Sequence, residues 1–208
     1  MQSTPDGGAA PDAGPGPPAL LIVTGLPASG KSTLVRRLVA RRRMRVLAKD
    51  DFKEALFERL GTGDAAWSRR LSDEAFAALF AAAASQLAVG AALLLEGNFR
   101  AGEHEPQILE ACDGHRPRIA QLLCRSDEPG RRARLEARAV EASRHRGHRD
   151  ADALEALRTG HAAGPGAPSD CFLDLPGPRF VYDSSRDAEA GSLEAALLAI
   201  EHWLGPAR

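Results

Sequence analysis

The chain has 208 residues, of which 44% are apolar and 26% are charged, and its formal net charge is −1 at pH 7. This length suits one substantial α/β domain rather than two, and the near-neutral charge gives no reason to expect nucleic acid or an anionic membrane as a partner. No apolar run reaches the roughly 18 residues that cross a bilayer, and the N-terminus lacks the order of a signal peptide. Three scattered cysteines without disulfide or zinc spacing suit a reducing cytosol, so we expect a cytoplasmic protein.

Apolar runs and helical stripes predict an α/β fold. Residues 1–18 are rich in Pro, Gly, Ala and Asp and predict a disordered tail. Strands are predicted at 19–24, 45–49, 91–97, 118–124 and 179–183, and helices at about 32–43, 51–60, 72–90, 104–112, 127–144, 150–159 and 192–204. This alternation favours a parallel five-stranded sheet sandwiched by helices, in a single domain over 19–204. A helical lid is expected at about 127–160, and residues 160–170 read as a loop.

Local signals suggest where two helices start and stop. Gly61 is expected to end the helix at 51–60. Ser72 is the predicted N-cap of the next helix, because Leu71 and Phe76 flank it with the spacing of a hydrophobic staple.

The segment "GLPASGKST" over 25–33 follows the first buried strand and has the spacing of a phosphate loop. Its glycines let backbone N–H groups converge on an anion at the start of a helix. Lys31 is predicted to reach the β- and γ-phosphates and the Ser32 hydroxyl to bind magnesium, while Pro27 lacks an N–H, so the cradle should begin at Ala28. The sequence therefore predicts ATP and Mg²⁺ as cofactors. The predicted nucleotide-binding residues are Gly25, Leu26, Pro27, Ala28, Ser29, Gly30, Lys31, Ser32 and Thr33.

Two aspartates follow the second strand, where open α/β sheets carry ligand-binding residues. Asp51 has capping-box spacing with Glu54, which leaves Asp50 to face the crevice and accept the proton of a substrate hydroxyl. Lys53 lies one helical turn further on and is predicted to hold an anionic group or to keep Asp50 ionised. The alternative is that both aspartates only start the helix and that Lys53 is solvated.

The third strand ends in "LLLEGNFR". Glu96 is expected to help hold the metal and its water or to hold the loop, whereas Asn98 and Arg100 are expected to face the crevice and bind substrate. The alternative is that all three only shape a tight βα loop.

Together, "GLPASGKST", "KDDFKEAL" and "LLLEGNFR" resemble the phosphate-loop kinases grouped around polynucleotide 5′-hydroxyl kinase, among them the zeta-toxin-type and chloramphenicol-type phosphotransferases. The resemblance spans about 19–204 and implies that Asp50 is the general base and that Lys53 contacts the substrate. Polynucleotide kinases carry Arg at the second position, and Lys53 gives up bidentate phosphate recognition. A nucleic-acid 5′ end is therefore not the favoured acceptor.

Residues 131–149 contain seven Arg and two Glu, a formal charge of +5 with His neutral. Arg131, Arg134 and Arg138 fall on one helical face, from which lid arginines could stabilise a transferring phosphoryl group. The resembling kinases carry an Arg-x-x-x-Arg pair in their lids, which implies catalytic roles for Arg134 and Arg138. The alternative is a solvated basic face.

The segment "RHRGH" over 144–148 places two histidines after the arginines and resembles an Arg-His-Pro-Gly-His segment in the same kinase group. His145 and His148 have no third metal ligand at a usual spacing. Contact with adenine, phosphate or substrate is the better expectation.

The leading interpretation is an ATP-dependent kinase acting on a hydroxyl acceptor: a small metabolite, a nucleoside-like compound, an antibiotic or a nucleic-acid 5′ end. An alternative is a nucleotide-dependent ATPase or switch that acts on a protein partner. A third reading is a degenerate nucleotide binder, which would have to explain the intact Lys31, Ser32 and Thr33.

Overall fold

The computed structural model describes residues 16–141, 145–159, 170–186 and 191–206. Its five described strands are β1 (Ala19–Thr24), β2 (Arg45–Ala48), β3 (Leu93–Glu96), β4 (Arg118–Arg125) and β5 (Arg179–Asp183). They pair in the order β2-β3-β1-β4-β5, and every pairing is parallel. The predicted α/β fold is confirmed. The predicted tail, apart from 16–18, and the predicted loop, apart from Asp170, lie outside the described residues.

Helices cover both faces of this sheet. They are α1 (Lys31–Arg41), α2 (Lys49–Leu60), α3 (Ala65–Ala88), α4 (Glu105–Cys112), α5 (Glu128–Ala139), α6 (Asp150–Thr159) and α7 (Ser192–Leu204). Side chains alternate across a strand, so Leu20 and Ile22 of β1 pack towards α3 and α4, whereas Leu21 and Val23 pack towards α1 and α7. β1 is therefore buried on both faces, as its continuous apolar run predicts.

The predicted start of α3 is wrong. The helix begins at Ala65, and the Asp64 side chain caps it by accepting a hydrogen bond from the Trp67 N–H at 2.8 Å. Ser72 therefore lies inside the helix. Leu71 and Phe76 are both buried, so the apparent staple is part of the core-facing stripe of a longer helix.

The start of α2 also differs from the prediction. Ala48 is its N-cap, so Asp50 and Asp51 lie within the first turn and the capping box of Asp51 with Glu54 is not formed. Carboxylates are favourable there because the helix N-terminus carries partial positive charge. The helix ends at Gly61, as predicted.

Near the C-terminus, the predicted bounds of β5 and α7 are confirmed. α5 ends at Ala139 rather than at 144, and residues 142–144 are outside the described part. Leu135 of α5 and Leu154 of α6 are buried against Ala28. The two helices of the predicted lid therefore pack directly on the phosphate loop, residues 25–33.

Candidate active site

The backbone of the phosphate loop needs glycine at two positions. Gly25 has φ +141°, and a Cβ there would lie 2.1 Å from the carbonyl oxygen of Cys124; Gly30 has φ +97° and caps α1. The Ser29 N–H donates to the Leu26 oxygen at 3.2 Å and is thus used by the loop itself. The N–H groups of Lys31 and Ser32 begin α1 and have no intrahelical acceptor. These two N–H groups are the helix donors best placed for an anion.

Lys31 is held against the loop by two hydrogen bonds. Its Nζ donates to the carbonyl oxygens of Gly25 at 2.8 Å and Leu26 at 2.9 Å. Burial lowers the pKa of Lys31, and the positive charge of Arg138 lowers it further, while the thiol of Cys124 and the carboxyl groups of Glu96 and Asp50 act against that shift. The amine thus shares its site with one cation and two carboxyl groups.

The Ser32 hydroxyl donates to Glu96 Oε1 at 2.6 Å, across the gap between α1 and the end of β3. Burial raises the pKa of Glu96, while this hydrogen bond and the charge of Lys31 partly oppose the shift. A hydroxyl and a carboxylate are oxygen ligands of the kind that Mg²⁺ prefers. The pair fits a magnesium site between the loop and the sheet, either by direct contact or through bound water.

A cavity of about 530 Å³ opens over this pair. It brings together residues from the loop, from α2, from the end of β3 and from the lid. Its polar wall includes Lys31, Ser32, Lys49, Asp50, Asp51, Lys53, Glu54, Ser72, Glu96, Asn98, Arg138 and His148.

Asp50 lies on the wall with its side chain 48% exposed. Its Oδ1 is 3.3 Å from the Nζ of Lys49, whose own side chain is buried and lies over the ring of Phe76 at 5.8 Å. Sequence reasoning missed Lys49. A lysine directly before an aspartate pair reads as a solvated residue, and only the packing of α2 on α3 buries it.

Lys53 lines the cavity but is engaged in the packing of α2 on α3. It is buried, its Nζ donates to Ser68 Oγ at 2.9 Å, and it lies 5.2 Å from the centre of the Phe57 ring. The alternative that Lys53 is solvated is therefore wrong. Its contact with a substrate stays a prediction.

The two candidate substrate-binding residues after β3 lie in different places. Asn98 lines the cavity. Arg100 instead contacts Asp73 at 2.9 Å and Glu103, and it lies over the Phe76 ring at 5.7 Å. The expectation that Arg100 faces the crevice is therefore wrong in this structure: acidic side chains of α3 and of the β3–α4 loop hold it elsewhere.

The three lid arginines share a face of α5, as predicted, but they have different partners. Arg131 Nε donates to the Pro27 oxygen at 3.1 Å. Arg134 donates to the oxygen of Ala28 at 2.9 Å and to Ser184 Oγ at 2.8 Å. Only Arg138, of these three, lines the cavity. Arg134 therefore supports the loop, whereas Arg138 lies where a ligand of the cavity could contact it, and the catalytic role of the pair stays a prediction.

The two histidines lie against α2. His145 stacks on the Phe57 ring at 5.1 Å, and its Nε2 is 3.2 Å from Glu58 Oε1. His148 lines the cavity, with Nε2 2.5 Å from Glu54 Oε1. Sequence reasoning could not foresee these partners, because they lie about 90 residues away in the chain. Of the two, His148 is placed to touch a ligand.

The described residues contain no group of three or more His, Cys, Asp or Glu side chains that could hold a metal ion. None of the helices in the described ranges is long and apolar enough to cross a membrane.

The chain is similar to a known protein family and to solved structures. The family model described as "AAA domain" matches residues 20–163. A solved structure of a presumed kinase from Chloroflexus aurantiacus J-10-fl is 31% identical with a TM-score of 0.77, covering 90% of this chain and 99% of that one. No curated protein gave a match.

Two more distant structures share the fold. Kti12 of Chaetomium thermophilum, in complex with ADP-AlF3, has a TM-score of 0.61 at 18% identity and covers 90% of this chain and 100% of its own. The APS kinase CysC of Mycobacterium tuberculosis, in complex with AMPPNP and APS, has a TM-score of 0.55 at 17% identity, covering 89% and 97%. Both similarities extend over nearly the whole chain.

Proposed function

This chain belongs to the AAA-domain family, and we propose that it is an ATP-dependent kinase that transfers the γ-phosphate of ATP to a hydroxyl acceptor. The presumed kinase from Chloroflexus aurantiacus is similar along nearly its whole length, which supports the proposal. We also propose that the chain is related to the group around polynucleotide 5′-hydroxyl kinase and the zeta toxins, on the three motifs that resemble it.

One observation carries the proposal: Asp50 shares a cavity with Lys31 and Ser32. The Asp50 carboxyl is close enough to raise the pKa of Lys31, whereas the Arg138 guanidinium lowers it. A carboxylate, an ammonium and a guanidinium thus converge at the N-terminus of α1. That is what phosphoryl transfer to a hydroxyl requires: a base for the proton and cations for the charge on the transferring oxygens.

The chemistry assigns one role to each residue. As the acceptor oxygen bonds to the γ-phosphorus, Asp50 takes the hydroxyl proton and the bond to the bridging oxygen breaks, with its electron pair leaving on ADP. Lys31 and Arg138 neutralise the charge that develops on the phosphoryl oxygens.

Residues of the loop and of β3 would hold the cofactors. The N–H groups at the start of α1, with Lys31, would hold the triphosphate, and Ser32 with Glu96 would hold the metal or its water. Bound ATP supplies the phosphoryl group, and Mg²⁺ neutralises part of its charge.

The residues on the cavity wall favour a small polar acceptor. Lys49, Ser72 and Asn98 line the same cavity as Asp50, and none of the described residues on the cavity wall is Phe, Tyr or Trp. Proteins that bind single-stranded nucleic acid commonly stack its bases on aromatic side chains. A small hydroxyl metabolite therefore fits better than a nucleic-acid 5′ end.

The test is transfer of radiolabelled phosphate from ATP across sugars, aminoglycosides, nucleosides and nucleic-acid 5′ ends. We expect label in one acceptor class and loss of that labelling in Asp50→Asn. Labelling that persists in Asp50→Asn would remove Asp50 as the base. Rapid, saturable ADP release without any acceptor would favour the ATPase or switch alternative instead.

A further inference from the structure

A buried histidine lies beside the proposed base. The side chain of His148 is 4% exposed, and its Nδ1 is 3.9 Å from Asp50 Oδ1. Its other nitrogen, Nε2, is 2.5 Å from Glu54 Oε1, one turn further along α2. The imidazole thus lies between two carboxyl groups of the same helix.

The surroundings of His148 hold its ring in place. The ring meets the edges of Phe57 and His145 nearly at right angles, with centroids 6.3 and 6.2 Å away. Gly147 leaves no room to shift, because a Cβ on it would lie 2.3 Å from Phe57 Cε2. The Gly147 oxygen also accepts a hydrogen bond from Ser68 Oγ at 3.3 Å. The position of His148 is therefore fixed by packing on α2 and α3.

Asp50 is the movable member of the group. Its side chain is half exposed, whereas Lys49 and His148, which both approach its Oδ1, are buried. A closure of about 1 Å would bring the Nδ1 of His148 to hydrogen-bond distance, and hydrogen bonds of catalytic groups often tighten only when substrate binds. Two fixed cationic or donor groups can thus set the direction in which this carboxylate points.

We propose that His148 is a positioning residue for Asp50, donating from Nε2 to Glu54 and from Nδ1 to Asp50 when the site is engaged. The inference rests on the proposed function, because it matters only if Asp50 is the base. It assigns a task to residues 145–149, which carry a side chain that orients the neighbouring base. Misplacing a reacting group by 1 Å can cost about 100-fold in rate.

Two substitutions of His148 distinguish the hydrogen bond to Asp50 from the hydrogen bond to Glu54. In His148→Asn the amide nitrogen takes the place of Nδ1 and faces Asp50, whereas in His148→Gln it takes the place of Nε2 and faces Glu54. The measurement is the slow hydrolysis of radiolabelled ATP by the full chain with Mg²⁺, in which water takes the place of the acceptor hydroxyl. Asp50→Asn sets the level expected without a base. His145→Gln is the matched control, because it removes the other imidazole of the same segment without removing a contact of Asp50.

The expected result is a loss of about tenfold or more in His148→Gln, with His148→Asn and His145→Gln closer to the wild type. Equal activity of the two His148 variants, or a greater loss in His148→Asn, would overturn the positioning role. If Asp50→Asn itself keeps full turnover, the base assignment fails and the positioning role with it.

A spectroscopic measurement on the wild type and Asp50→Asn tests the proposal even where the His148 variants fold poorly. Long-range ¹H–¹⁵N spectra of the intact protein should show both ring nitrogens of His148 protonated, with the Nδ1 signal moving in Asp50→Asn far more than that of His145. An unprotonated Nε2, or no selective response, would contradict the proposal.

Discussion

The Ser32 hydroxyl donates to Glu96 Oε1 at 2.6 Å and thereby joins the start of α1 to the end of β3. Glu96 is a half-buried carboxyl whose pKa is raised by desolvation. Its charged form therefore costs folding free energy that a neutral side chain would not. Such a cost is expected where a charge serves ligand binding rather than stability.

Glu96→Gln should weaken Mg²⁺ binding by roughly 10- to 100-fold, as loss of an outer-shell partner does at other metal sites, while leaving the melting temperature equal or higher. Mg²⁺ affinity of the wild type should fall on acidification, beginning at a higher pH than an ordinary glutamate would give, because the raised pKa lets Glu96 protonate earlier. Isothermal titration with Mg²⁺–ATP and calorimetric melting measure both effects. Glu110→Gln, at an exposed position on α4, is the control, and equal Mg²⁺ affinity in the two variants would contradict this role.

Substitutions of the two lid arginines should have different effects: loss of Arg138 should lower activity, and loss of Arg134 should lower stability. Arg138→Ala should lower ATP turnover by about 100-fold, as loss of a donor to a developing anion does, with little change in melting temperature. Arg134→Ala leaves the Ala28 carbonyl oxygen of the loop and both oxygens of Ser184 without this donor, and it should cost about 2 kcal/mol, or roughly 4–8 °C in melting temperature. Turnover and melting of the two variants form the measurement, and an unstable Arg138→Ala with a stable Arg134→Ala would reverse the assignment.

Gly25→Ala should destroy the phosphate loop. The new Cβ would lie 2.1 Å from the Cys124 oxygen at a φ of +141°, so the loop or β4 must move. Gly90→Ala is the matched control, since it also has positive φ but nothing within 4 Å, and it should cost only about 1–2 kcal/mol. Chemical unfolding and ATP binding report the difference. Comparable stability and binding in both variants would show that the loop has another conformation in solution.

The sequence predicts the sheet better than the helix starts, for a physical reason. Buried parallel strands are continuous apolar runs, and the predicted run matches β1 residue for residue. The start of a helix depends on which polar side chain serves as its N-cap. Asp64 caps α3 eight residues before the predicted Ser72, and nothing local distinguishes the two.

In the site, too, local sequence patterns could be predicted and contacts between distant residues could not. Lys31 and Ser32 could be assigned from spacing, because the phosphate loop is a local structure. The different contacts of Arg134 and Arg138 could not be predicted, because Arg134 is held by Ser184, 50 residues further along the chain. The place of Arg100 could not be predicted either, because its partner Asp73 lies on α3, 27 residues earlier in the chain.

His104 should make the stability of the fold depend on acidity. It is buried between Phe76 and Phe99, and its Nδ1 accepts from the Arg100 N–H at 2.9 Å. Desolvation, with the charge of Arg100, lowers its pKa to about 4. Between pH 4 and 6.5 the unfolded chain therefore binds more protons than the folded one. The free energy of unfolding should fall by about 3 kcal/mol as the pH drops through that range.

His104→Asn keeps an acceptor for the Arg100 N–H but does not titrate, so its pH dependence between 4 and 6.5 should be shallower by about one proton. Urea unfolding of both proteins at a series of pH values gives the two slopes, and the absolute stability of the variant does not enter the comparison. Parallel slopes would mean that His104 is protonated in the folded protein, in which case acidic partners such as Asp73 and Glu105, rather than desolvation, would dominate its environment.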